Sequence, residues 1–168
     1  NFSLKDFQGK LVKSLSSDII SLQGCQGKLN DALLNIEGEL SQPDPNAPFW
    51  GKITLKDFPL KKTILEKLPP HLELENILED IQFQGDVSAS CHFSGEVSRG
   101  IQIDSAYLDL ENGKIQHTLI HFPFEKIQTR IHLKKEKIWI EEAQPLQFHA
   151  LKGEVKIWGE CENFMQIP

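Results

Sequence analysis

The sequence predicts a mainly β protein: a long, strongly twisted antiparallel sheet forming an elongated groove or partly open barrel, with a short two-helix insert near residues 60–82. Three observations predict it. Apolar and polar residues alternate with period two through most of the chain, the mark of strands with one apolar and one wet face. Turn-forming residues fall between most of these runs: "QPDPNAP" (42–48), "SRG" (98–100) and "ENGK" (111–114). One stretch alone changes to a helical period.

Strands are expected over 7–14, 18–26, 30–41, 49–58, 83–97, 101–111, 114–120, 125–134, 137–143 and 146–159. Asn112-Gly113 suits a type I′ turn, in which both central residues need positive φ. That turn would set Leu110 opposite Ile115, Leu108 opposite His117 and Ala106 opposite Leu119, all on the apolar face. A turn at Lys135-Glu136 would pair Leu133 with Ile138 and Ile131 with Ile140, and bring Arg130 to Glu141 on the wet face. Within 59–82, Leu60, Ile64, Leu65 and Leu68 follow one helical stripe, and Leu74, Ile77, Leu78 and Ile81 a second. Pro69-Pro70 separates them. These two short helices are expected to lie on the open end or the face of the sheet.

There is a faint internal echo. "SLKDF" (3–7) returns as "TLKDF" (54–58), and "IEGELS" (36–41) returns as "FSGEVS" (93–98) and "LKGEVK" (151–156). The shared Gly-Glu-Leu/Val tripeptides lie about 57 residues apart, a spacing that suggests stacked supersecondary units. The 168 residues are expected to form a single unit (1–168) cut from a larger protein, since the chain opens at Asn1 without an initiator Met.

Composition narrows the function classes. Charged residues are 25% and hydrophobic residues 39%, as in globular proteins. The net charge is -6 with both signs interleaved, so no basic stripe is present for nucleic acid, which is not expected as a partner. No apolar run approaches the roughly 20 residues that span a bilayer. Cys25, Cys91 and Cys161 are too few and too scattered for a disulfide scaffold, and the sequence leaves their redox state open. Cys91, in phase with Val87, Ala89 and Phe93, reads as a small buried apolar residue.

No catalytic constellation is found: no phosphate loop, no G-x-S-x-G and no H-E-x-x-H. His117 and His121 would lie ~13 Å apart on a strand, too far to hold one ion. His117 is expected to be a satisfied, partly buried imidazole. Neither a metal, a cofactor nor enzymatic activity is expected, and the acidic clusters at Glu141-Glu142 and 73–80 read as solvated faces. Trp139 and Trp158 fall on the wet face. Cross-strand packing explains them, as would a protein partner on that face.

A one-faced sheet can hide its apolar side against a second sheet, in a closed barrel or around a ligand. Runs such as 101–111, 125–134 and 146–159 exceed the usual five or six residues and favour a trough in which an acyl chain could lie. Its expected lining is Val87, Ala89, Phe93, Leu108, Leu110, Ile115, Ile131, Leu133, Ile138, Ile140, Val155 and Ile157. A structural or protein-binding β-domain with a closed, dry core is the alternative. A jellyroll module of a lipopolysaccharide bridge fits less well, because such modules are nearly all strand.

The stretch "ITLKDFPLKKTILEKLPPHLELENILEDIQFQGDVSASCHFSG" (53–95) resembles a recurring unit of AsmA-like proteins. In that unit a strand ends in a "pl" turn, an "lp" helix follows, and the next strand opens on Gly. Residues 103–163, from "IDSAYLDLENGKIQ" to "LKGEVKIWGECEN", resemble the part that follows, with Gln128-Thr129 where the family often has glycine. The resemblance implies a segment of a bacterial envelope protein of the AsmA/TamB kind, anchored in the inner membrane and crossing the periplasm as a β-groove. It implies phospholipid or another acyl-chain lipid as partner, membrane contact through the full-length protein, a role in outer-membrane lipid homeostasis, and no catalytic residues.

Overall fold

The computed structural model describes residues 3–14, 16–41, 44, 46–61, 81–135 and 137–162, and every regular element among them is a β-strand. The strands are β1 (Leu4–Lys13), β2 (Ile20–Leu29), β3 (Ala32–Leu40), β4 (Pro48–Lys61), β5 (Ile81–Glu96) and β6 (Gly100–His117). They continue as β7 (Phe124–Lys134), β8 (Lys137–Ile140), β9 (Leu146–Ala150), β10 (Gly153–Ile157) and β11 (Gly159–Glu162). All belong to one antiparallel sheet that does not close. The barrel or sandwich with a sealed core is therefore not formed among these residues.

The topology is a meander. β1 to β7 follow one another in space as in sequence. Beyond β7, β8 and β9 lie end to end along the same neighbour, and β11 and β10 pair with them in turn. Each couple is thus one strand interrupted once, at 141–145 on the way out and at Trp158 on the way back. The strand expected over 146–159 is instead a hairpin, turning at Leu151, whose φ of 56° a flexible side chain tolerates better than a β-branched one.

The Asn112-Gly113 hairpin is also absent. β6 runs 18 residues straight through it. Asn112 keeps the positive φ (53°) that its type favours, but spends it on a β-bulge. The reason is the neighbour: β5 offers 16 residues of ladder to pair with, more than a local turn can offset. Leu110 therefore faces Val87 and Thr129, Leu108 faces Ala89 and Ile131, and Ala106 faces Cys91 and Leu133. Ile115 faces Phe83, His117 faces Ile81, and Leu119 lies in the turn after the strand. The extra residue restores the phase, so Ile115 and His117 still share the side of Leu110.

The second register is as expected: Leu133 lies opposite Ile138 and Ile131 opposite Ile140. Lys135 supplies a φ of 55° at the turn, and Glu136 lies outside the described residues. Arg130, however, pairs with Asp109 across β6, with Nη2 donating to Oδ2 at 2.7 Å, and Glu141 lies instead 3.6 Å from His132 Nε2. Strand β8 ends at Ile140, before Glu141 could enter the ladder.

Most of the two-helix insert, residues 62–80, lies outside the described residues. Its flanks are strand: Leu60 pairs with Gly85 on β5, and Ile81 with His117 on β6. Ladder pairing there extends β4 and β5 beyond the ends that periodicity alone assigned them.

Bulges recur on β1, β2, β4, β6 and β7, with Asp6, Gly24, Asp57, Asn112 and Lys126 at positive φ. Two of them flank β5, which braces both: Ser88 Oγ accepts from the Asp57 N–H (3.1 Å), and Asp86 Oδ2 accepts from Asn112 Nδ2 (3.3 Å). Phe58, Val87 and Ile127, three of the few buried apolar side chains, sit beside these bends. Replacing Asn112 by Val is expected to lower stability by about 1–2 kcal/mol, because a β-branched residue is strained at positive φ. Asn112→Gly should keep the wild-type denaturant midpoint; equal midpoints for all three proteins would contradict a bulge at this residue.

Candidate functional site

Directly opposed residues in a sheet share a face, so the registers can be read as rows running across the strands. One row runs Gly27, Leu34, Leu55, Ala89, Leu108, Ile131, Ile140, Gly159. The next runs Cys25, Ile36, Ile53, Cys91, Ala106, Leu133, Ile138, Cys161. Neither contains a charge. On the other face the row from Gln26 through Asn35, Thr54, Ser90, Tyr107, His132 and Trp139 to Glu160 is polar or amphipathic throughout. The chain has two unlike surfaces.

Among the described residues no second layer covers the apolar surface. The buried hydrophobic residues are Cys25, Ala32, Ala47, Phe58, Val87 and Ile127, and only they form a core among the described residues. Leu11 is 71% exposed, Ile101 70% and Leu108 36%. A compact protein of 19.1 kDa would expose about 8,400 Å², whereas this chain exposes 11774 Å².

Most of the expected lining residues come together. Ala89, Leu108, Ile131 and Ile140 stand in one row, Leu133 and Ile138 in the next, and Val87 and Leu110 directly oppose each other. Ile115 lies beyond the Asn112 bulge and Phe93 towards the opposite end of the strands. Val155 and Ile157 pair only with Phe148 and Leu146. They join the same face through Phe148, whose ring meets that of Phe124 edge-on at 5.4 Å.

The sequence reading missed a concavity at the β1–β5 end. Leu11, Ile20, Leu22, Ile36, Leu40, Phe49, Phe93 and Val97 line a hollow of about 360 Å³. Gly38 and Gly51 oppose each other in its floor. A Cβ on Gly38 would stand 2.7 Å from the Trp50 carbonyl oxygen, and one on Gly51 would overlap the ring of Phe93. The alternation Leu34-Ile36-Gly38-Leu40 and Phe49-Gly51-Ile53-Leu55 was a usable signal for this lining. That the two glycines face each other was not readable from either strand alone.

The polar face is stitched by specific pairs. Arg130 stacks over Tyr107 at 5.2 Å, and its bond to Asp109 raises its pKa further. The His132 and Trp139 rings stack at 5.0 Å, so Trp139 packs across strands, while Trp158 is exposed. Lys114 holds Glu125 at 2.8 Å and keeps its carboxyl below the ordinary range. His117 Nδ1 accepts the Leu119 N–H at 3.0 Å, the satisfied imidazole expected of it. No group of His, Cys, Asp or Glu among the described residues is arranged to hold a metal. No helix among them is long and apolar enough to cross a membrane.

The three cysteines share one row but are spread over β2, β5 and β11, and all are free. Cys91 is only half-buried, more open than its apolar phase suggested. Burial, followed by the charge of Asp104, raises its thiol pKa. Less thiolate is then present at any given pH. Titration with a water-soluble thiol reagent at pH 8 is expected to label exposed Cys161 first, with Cys91 catching up as pH rises; equal rates at pH 8 would contradict this ordering.

Compared with protein-family models, with curated proteins and with solved structures, the chain matches none.

Proposed function

We propose that this chain is a non-enzymatic lipid-binding and lipid-conducting segment whose apolar sheet face carries the acyl chains of phospholipid. The observation that supports it best is the run of uncharged rows from β2 to β11, open to one side and lacking a second layer among the described residues. Such a face needs a partner without fixed polar groups. An acyl chain meets that need, each buried methylene contributing ~0.8 kcal/mol without demanding directional contacts. The longest strand, 18 residues, would extend ~60 Å, enough for a long trough rather than a single pocket.

The resemblance of residues 53–95 and 103–163 to AsmA/TamB-like proteins supports the same reading and extends it. On it, the segment belongs to a periplasmic protein of a Gram-negative-type bacterium, anchored in the inner membrane, that carries phospholipid towards the outer membrane. The absence of any catalytic constellation from the sequence fits a conduit.

Protein purified from bacterial membranes is expected to carry phospholipid, detectable by native mass spectrometry or by extraction. Leu108→Asp and Ile131→Asp should lose that lipid and keep the β-sheet circular-dichroism spectrum, since both side chains are at least partly exposed. Unfolding of both variants would mean a dry core instead, because burying an unpaired charge costs several kcal/mol.

A further inference from the structure

We infer that the hollow floored by Gly38 and Gly51 is a discrete end site for one acyl chain bearing an anionic head group, with Lys13 holding the head. This rests on the lipid-binding reading and adds a position, a stoichiometry and a charge to it.

Size argues for a single chain. At about 360 Å³ the hollow is near the lower limit of ligand pockets, roughly 300–1,000 Å³, a size that suits one tail. Its lining is contributed by aliphatic and phenyl side chains. Glu37, Glu39 and Trp50 flank the two glycines in sequence and so point to the opposite face. There Glu39 accepts a bond from Trp50 Nε1 (3.1 Å), which ties both side chains away from the hollow.

The floor is built by absence. With no Cβ at Gly51, the Phe93 ring lies down in the vacated space and the cavity stays open above it. Phe93 in turn meets Phe49 edge-on at 6.4 Å, which fixes the ring on that side.

Charge argues for the head group. The terminal row at this end runs Lys13, Ile20, Leu40, Phe49, Gly95, Ile101 on the apolar face. Lys13 stands directly opposite Ile20, itself part of the lining. It is exposed and has no ion-pair partner among the described residues. A cation on the same face, one rung beyond the apolar lining, suits a carboxylate or phosphate and repels a cationic amphiphile.

The test is calorimetric titration of delipidated full-length chain with decanoate and with decanol. Decanoate should show one saturable tight site per chain, distinct from weaker binding along the rest of the apolar face. Leu11→Glu should weaken it about tenfold or more, since the lost Leu contact and the added carboxylate both act against the tail. Leu11 is 71% exposed, so this change leaves the fold alone. Gly51→Ala should weaken it too, by lifting the Phe93 ring into the cavity, with unchanged circular dichroism. Lys13→Gln should weaken decanoate by about threefold, as expected of an exposed charge pair, and leave decanol unaffected. Binding of dilauroyl phosphatidylglycerol vesicles with the same pattern of losses would assign the chain to a diacyl lipid, and indifference to those vesicles would assign it to a free fatty acid. Wild-type affinity in Leu11→Glu and Gly51→Ala would overturn the end site while leaving the groove reading intact. Failure of the unsubstituted protein to bind any of these lipids would overturn both.

Discussion

Everything in this molecule depends on cross-strand register. Side chains alternate across a sheet, so a slip of one residue in any ladder turns that strand's apolar set to the wet side. Five successive ladders nevertheless keep Ala89, Leu108, Ile131 and Ile140 in line with Leu34 and Leu55. The bulges make this more demanding, since each adds a residue and reverses the phase beyond it. At Asn112 the sequence answers with two non-apolar residues between Glu111 and Lys114, so that Ile115 resumes on the side of Leu110. Bends are obtained without breaking the face.

A sheet that leaves one side open gives up most of the burial that stabilises a domain of this length. What remains is ladder hydrogen bonding, half-buried cross-strand contacts and a small cluster near Phe58, Val87 and Ile127. The polar face compensates with ordered pairs such as Arg130 with Asp109 and His132 on Trp139. The edges are guarded as open edges must be. β1 carries Lys5, Lys10 and a bulge at Asp6, and β11 is short with Glu160 and Glu162. On the proposed function, stability and lipid binding make opposite demands on the same surface, and a bound lipid would relieve the conflict by supplying a second layer.

Much of the fold was legible because alternation is a local property. The class, the antiparallel order and the pairing of Leu133 with Ile138 all follow from residues a few positions apart. What was not legible depended on partners distant in sequence. Asn112-Gly113 carries a turn signature in isolation and becomes a bulge only beside β5. Residues 146–159 read as one strand until the positive φ at Leu151 divides them. Arg130 chose Asp109 because β6 lies alongside, a fact absent from the 121–140 stretch. The candidate site divides in the same way. Which residues share the apolar face followed from their phase, but of the central rows only the Leu133–Ile138 and Ile131–Ile140 rungs were expected, and the hollow over Gly38 and Gly51 needed the knowledge that two glycines from different strands coincide.

On the proposed function, fatty chains rather than the protein cover the apolar face. The most direct measurement places a photoreactive side chain at Leu108 on that face, and in a parallel protein at Tyr107 on the other, then irradiates both in membranes. A lipid adduct is expected at 108 and none at 107. An adduct at 108 with the chain itself, and no lipid at either position, would contradict it.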